Sequence, residues 1–102
     1  MTDITSIPQF EEIINDNPVV LAEFYASWCP HCQAFAPVLA QAAQQLTIPV
    51  VRAEIDQNPE LSGYYEIESI PTLILFVDGQ QVARHVGALP VDGILAFVSN
   101  NE

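Results

Sequence analysis

Residues 19–26, Val-Val-Leu-Ala-Glu-Phe-Tyr-Ala, are apolar almost without a break and run straight into Ser27-Trp28-Cys29. A strand of that composition has no side fit for water, so it must be covered on both faces, which calls for a sheet with helices above and below. The flanking sequence supplies them. Ser6 to Ile14 predicts a first helix, with Ser6 as its cap, Pro8 and acidic residues in its first turn, and Asn15-Asp16-Asn17-Pro18 as its end.

A second helix is expected from Cys29 or Pro30 to about Leu46. Phe35, Val38, Leu39, Ala42, Ala43 and Leu46 recur at helical spacing as its inward stripe. Pro37 removes one backbone bond within it and is expected to kink it. Strand signals follow at 49–55 and 72–77, with a short helix between them from Asp56-Gln57-Asn58-Pro59-Glu60 to about Tyr65. Asp78-Gly79 predicts a hairpin into 81–86. Val91, Ile94, Leu95 and Val98 mark a last helix. A strand near Asp3–Thr5 carries only a weak signal. Strands alternating with helices and ending in a hairpin predict one α/β domain over 1–102, with a mixed central sheet flanked by helices.

The two cysteines, Cys29 and Cys32, lie three apart where strand becomes helix. That spacing puts one sulfur at the helix start and the other one turn below, within disulfide reach. Helix-start N–H groups and the positive dipole end stabilise a thiolate. Cys29, expected at an exposed position, is therefore the candidate nucleophile, and Cys32, three residues before Phe35 on the inward stripe, the resolving thiol. A structural disulfide across so short a loop adds little stability. Zinc or an iron–sulfur cluster needs about four soft ligands, against two cysteines, His31 and a distant His85. A c-type haem motif fails because Gln33, not histidine, follows Cys32. No bound cofactor and no metal are expected, a metal-bridged homodimer being the remaining alternative.

There are 13 acidic residues against Arg52 and Arg84, no lysine, and a formal charge of −11. Nucleic-acid phosphates and anionic membranes would be repelled, so neither partner class is expected. The acids are spread along the chain, which favours a solvated surface over a specific basic-partner patch. No apolar run reaches the roughly 20 residues of a membrane span, and Met1–Thr5 lacks the pattern of a signal peptide, so a cytoplasmic location is expected.

Phe24-Tyr25-Ala26-Ser27-Trp28-Cys29 with Cys32, then Pro37, Asp56-Gln57-Asn58-Pro59, Ile70-Pro71-Thr72, Phe76 with Gly79, and Val86-Gly87-Ala88 make the whole chain resemble the thioredoxin family. The resemblance implies the thioredoxin fold, with the dithiol at the end of a strand facing a cis Ile70–Pro71 bond. It also implies a shallow substrate surface of Trp28, Pro30, Ile70, Pro71, Gly87 and Ala88, on which the backbone before Pro71 pairs with an extended segment. The implied activity is thiol–disulfide exchange with protein disulfides, by a monomer recharged by a flavin- or ferredoxin-linked reductase.

Two positions depart from the family pattern. Glu23 stands where the family usually has aspartate, six residues before Cys29. A carboxyl buried there has its pKa raised by desolvation and can take the Cys32 proton. An ion pair with Arg52, which replaces the family's usual lysine, is the structural alternative, and both roles can coexist. Pro30-His31 resembles the pair found in periplasmic dithiol oxidases rather than the usual Gly-Pro. A histidine at the helix start stabilises the Cys29 thiolate, which makes the disulfide a stronger oxidant; the alternative is an exposed imidazole without electronic effect. His85 is expected on the surface of an edge strand. A dithiol oxidase or isomerase, or a non-catalytic binding module built on the Ile70-Pro71 surface, are the rival functions.

Overall fold

The computed structural model describes Met1–Glu102. Its elements run β1 (Thr2–Asp3), α1 (Ile7–Asp16), β2 (Val19–Tyr25), α2 (Pro30–Gln45), β3 (Val50–Glu54), α3 (Pro59–Tyr64), β4 (Thr72–Val77), β5 (Gln80–Val86) and α4 (Val91–Asn101). The five strands form one sheet in the order β1-β3-β2-β4-β5. β2 lies at its centre, parallel to β3 and antiparallel to β4. The weak N-terminal strand signal is realised one residue earlier than expected, as a two-residue strand parallel to β3.

Because side chains alternate along β2, its apolar run feeds two separate cores. Val20, Ala22 and Phe24 join Phe10 and Ile14 of α1, Leu61 of α3, and Ile74 and Phe76 of β4 on one face. Phe10 and Phe76 meet edge-to-face at 5.5 Å, and Tyr65 packs on both. On the other face Leu21, Leu73 and Leu75 pack with Phe35, Leu39 and Ala42 of α2 and Ile94 and Val98 of α4. Glu23 has the same parity as Leu21. It therefore points to the α2 side, the side that carries Cys32.

Ser6 caps α1, its hydroxyl accepting from the Gln9 backbone N–H at 3.2 Å, and Pro8 lies in the first turn. The first turn holds no acid, contrary to expectation: with the helix starting at Ile7 straight after the Ser6 cap, the first turn is Ile7-Pro8-Gln9-Phe10, and Glu11 and Glu12 fall in the second. The Asp78-Gly79 turn takes positive φ at both residues, 52° and 79°, as a tight hairpin between right-twisted strands requires. A Cβ on Gly79 would come within 2.7 Å of Asn15 Oδ1.

Both arginines are engaged within the molecule. Arg52 donates to Glu23 across the β2–β3 pair. Arg84 donates to the backbone carbonyls of Tyr65 and Glu66 and to the Gln81 side chain. No helix is long and apolar enough to cross a membrane.

Candidate active site

The site forms where β2 ends and α2 begins. Cys29 is the N-cap of α2 with extended backbone (φ −86°, ψ 120°), and Pro30 takes the first helical position, where a missing N–H costs nothing. Cys29 N–H reaches back to Ala26 C=O at 3.2 Å, and its own carbonyl accepts from Gln33 N–H at 3.0 Å. Both cysteines are free thiols. Cys29 is less open than its helix-start position predicts. Cys29 is only 6% exposed and Cys32 1%, because Ile55 and Ile70, from the loops after β3 and before β4, close around the pair together with Tyr25.

The two sulfurs are driven apart in acidity. The Cys32 backbone N–H holds the Cys29 thiol below its ordinary value; burial opposes it, and the Cys32 thiol and the His31 backbone N–H add to the lowering. Cys32 is pushed up to about 11, chiefly by burial, with the neighbouring Cys29 sulfur and the Glu23 charge adding. As pH rises, Cys29 is therefore the first of the pair to ionise, while Cys32 keeps its proton well past neutrality.

His31 contributes to Cys29 through its main chain. Its imidazole is exposed, makes no hydrogen bond, and lines a groove of ≈ 580 Å³ with Phe35, Ile70, Pro71, Gly87 and Ala88. The Ile70–Pro71 peptide is cis, and Gly87 N–H donates to Pro71 C=O at 2.8 Å. Gly87 has φ +100°, a region closed to most side chains. Four of the six residues expected around a substrate segment thus converge with His31. Trp28 and Pro30 are exposed but do not line this groove. Trp28, 63% exposed, is tethered on the other side of the dithiol by its indole N–H, which donates to Asp56 Oδ2 at 2.8 Å.

Glu23 is fully buried. Arg52 Nε–H donates to its Oε1 at 2.7 Å, while Oε2 has no hydrogen-bond partner. Burial raises the Glu23 pKa, and the Arg52 hydrogen bond and charge only partly oppose this. The Arg52 guanidinium also stacks on the Tyr25 ring at 3.9 Å, a cation–π contact that fixes it. A cavity of ≈ 130 Å³ beside this pair is lined by Cys32, Gln33 and Arg52 among others. The ion pair and the buried, pKa-raised carboxyl are therefore both present. His85 is half-buried against Phe97, at 6.2 Å between rings, rather than on the open surface, because α4 covers that end of β5.

Sequence reasoning passed over Glu54. It is 6% exposed and accepts from the backbone N–H groups of Ser27, Asp56 and Gln57 at 3.0, 2.8 and 3.0 Å. Burial alone would raise its pKa, but these donors outweigh it and hold the carboxylate below its usual range. The available signal was an acid closing a strand immediately before Asp56-Gln57-Asn58-Pro59.

Comparison with known proteins agrees with this geometry. The family model described as thioredoxin matches residues 2–100. Thioredoxin 1 of Synechococcus elongatus is 43% identical over 82 residues, covering 78% of this chain and 77% of the relative. A bifunctional thioredoxin reductase/thioredoxin of Mycobacterium leprae is 40% identical over 100 residues; the match takes in 96% of this chain but only 22% of that longer protein. Among solved structures, a mutant thioredoxin from Halobacterium salinarum superposes with a TM-score of 0.92 at 34% identity, covering 98% of this chain and 88% of the other.

Proposed function

This chain belongs to the thioredoxin family, and on that premise we propose that it is a thiol–disulfide oxidoreductase that reduces protein disulfides through Cys29 and Cys32. The observation that carries the reading is the pair of free thiols at one helix start, Cys29 as its N-cap and Cys32 within its first turn, packed against Ile70 of the cis Ile70–Pro71 bond. The comparisons do not favour a dithiol oxidase or a non-catalytic binding module.

The substrate segment lies in the groove of Ile70, Pro71, Gly87 and Ala88, with Trp28 and Pro30 at its margin. Cys29 thiolate attacks one sulfur of the substrate disulfide. The substrate S–S bond breaks, its distal sulfur leaves as thiolate, and a Cys29–substrate disulfide forms. Cys32 then loses its proton and attacks Cys29 Sγ, which expels the second substrate thiolate and leaves Cys29–Cys32 oxidised. Two electrons pass from the dithiol to the substrate, and two protons follow to its thiolates. Glu23 Oε2, free of hydrogen bonds and on the Cys32 side of the sheet, is the base for the second proton; Arg52 holds the other oxygen and fixes which one is available. His31 tunes the Cys29 thiolate.

The oxidised protein is recharged by a separate thioredoxin reductase, flavin- or ferredoxin-linked, a reading supported by the joined reductase and thioredoxin named in the Mycobacterium leprae relative. The chain acts as a monomer in the cytoplasm. Insulin reduction driven by NADPH and a thioredoxin reductase tests the proposal. The native protein should precipitate insulin chains, Cys29→Ser should be inactive, and Cys32→Ser should accumulate a mixed disulfide. Efficient oxidative refolding of a reduced protein without insulin reduction would reverse the direction.

A further inference from the structure

β2 and β3 are parallel neighbours that end level with each other, Tyr25 opposite Glu54. Beyond that point the ladder supplies one more bond, Ile55 N–H to Tyr25 C=O at 2.8 Å. The next donors, Ser27 N–H after β2 and Asp56 and Gln57 N–H after β3, have no strand to pair with. Glu54 meets all three with one buried carboxylate. Its Oε2 accepts from Ser27 and its Oε1 from Asp56 and Gln57.

The two loops thus joined carry the reactive segment. Ser27 is held at both ends of its peptide frame, since its carbonyl accepts from Gln33 Nε2 at 2.8 Å while Glu54 takes its N–H. Asp56, oriented by its own N–H bond to Glu54, takes the Trp28 indole N–H at 2.8 Å. Trp28 and Cys29 are consequently suspended from Glu54 by two routes, one through the backbone of Ser27 and one through Asp56 and the indole.

We propose that Glu54 is a positioning residue for the dithiol, fixing the Trp28–Cys29 segment so that the Cys29 sulfur stays in register with the helix-start N–H groups of His31 and Cys32. This rests on the reading of Cys29 as nucleophile. It assigns a function to a carboxylate that the exchange chemistry does not touch. A neutral amide cannot replace it. Gln offers one accepting oxygen, and its NH₂ must face either Ser27 N–H or the Asp56–Gln57 pair, donor against donor. The held charge fits the same role, because hydrogen bonds to an ionised acceptor are the stronger kind.

The test compares native protein, Glu54→Gln, and Glu60→Gln as a control that removes an exposed carboxylate elsewhere. The readouts are the pH profile of Cys29 alkylation by iodoacetamide, Trp28 emission and insulin reduction. In Glu54→Gln the Cys29 profile should move to higher pH, Trp28 emission should shift, and insulin reduction should fall roughly three- to tenfold at neutral pH, as for a misplaced reacting group. Glu60→Gln should match the native protein in all three. A Glu54→Gln protein with lowered melting temperature but native alkylation profile and emission would reduce Glu54 to a turn cap and overturn the proposal. Should that variant not fold, Glu54→Asp decides, because it keeps the charge but shortens the reach that spans Ser27 N–H and the Asp56–Gln57 pair; unchanged emission and profile would overturn the proposal equally. Alkylation and emission need no substrate, so a native protein that fails to reduce insulin would sink the functional reading while leaving this one to stand or fall by itself.

Discussion

Glu23 and Arg52 sit opposite each other in the register of β2 and β3, joined by a 2.7 Å bond from Arg52 Nε to Glu23 Oε1 that leaves Oε2 unpartnered in the core. A buried pair of this kind is costly to break from one side, because the survivor keeps its desolvation penalty without compensation. Glu23→Ala should therefore lose about 3 kcal/mol or more in urea unfolding. Glu23→Gln, which can still accept from Arg52, should lose much less. The catalytic consequence is separable: Glu23→Gln should slow release of the mixed disulfide near neutral pH. Unchanged single-turnover rates would remove Glu23 from the mechanism. Since burial raises the Glu23 pKa in the folded state, its protonated form favours folding. That contribution is complete at pH values below its unfolded pKa and is lost as pH rises through the folded value. Glu23→Gln should flatten this part of the stability curve.

The two thiols should react in sequence. Cys29 lies below its ordinary value through the Cys32 N–H, and Cys32 is pushed up to about 11 by burial. Near pH 8, limiting iodoacetamide should modify Cys29 alone, read by mass spectrometry of the peptides. For stability the signs differ. Cys29 favours the folded reduced protein above its unfolded pKa, and that share is lost as pH falls through its lowered folded value. Cys32 favours it below an unfolded value near 9.0, and that share is lost between there and about 11. Oxidation to the disulfide should erase both dependences. Equal labelling of the two cysteines at pH 8 would contradict the assignment.

His31 reaches the Cys29 sulfur through its backbone N–H, while its imidazole faces the groove. Glycine keeps that N–H, so His31→Gly removes the ring alone: the Cys29–Cys32 potential, expected to be less reducing than about −270 mV, should move toward that value only by as much as the nearby imidazole itself stabilises the thiolate. Equilibration with glutathione buffers measures both. A native potential at or below that figure, or no change on substitution, would leave the side chain without a redox effect.

Gly79 adopts φ +79°, and an added Cβ would meet Asn15 Oδ1 at 2.7 Å. Gly79→Ala should lower stability by about 1–2 kcal/mol from the left-handed backbone alone, with the Cys29 alkylation profile unchanged because the turn lies away from the dithiol. Thermal unfolding with parallel alkylation checks both halves.

Much of the architecture was legible because burial writes a period into the chain. The continuous run at Val19–Tyr25, the stripe from Phe35 to Leu46 and the Asp78-Gly79 turn each define their element locally, and the placement of Cys29 and Cys32 followed from where strand meets helix. What pattern could not show was closure in three dimensions. Ile55 and Ile70 come from loops remote in sequence, so nothing near Cys29 announced that they would leave it only 6% exposed. Glu54 escaped notice for the opposite reason. An acid at a strand end looks solvated until the Ser27 N–H, 27 residues away, is found pointing at it. Likewise the sequence placed His31 beside the sulfurs, but only the coordinates separate its main-chain contact from the direction of its ring.

The engagement of Arg52 and Arg84 within the molecule has a consequence for the surface charge. With Arg52 paired to Glu23 and no lysine in the chain, the exposed Arg84 is the one basic side chain left for all the exterior carboxylates to share. The rest of their neutralisation is left to mobile ions from the solvent. As screening shortens from about 10 Å at 0.1 M salt to about 3 Å at 1 M, the carboxylates repel one another less across the surface, and stability in urea unfolding should rise with ionic strength.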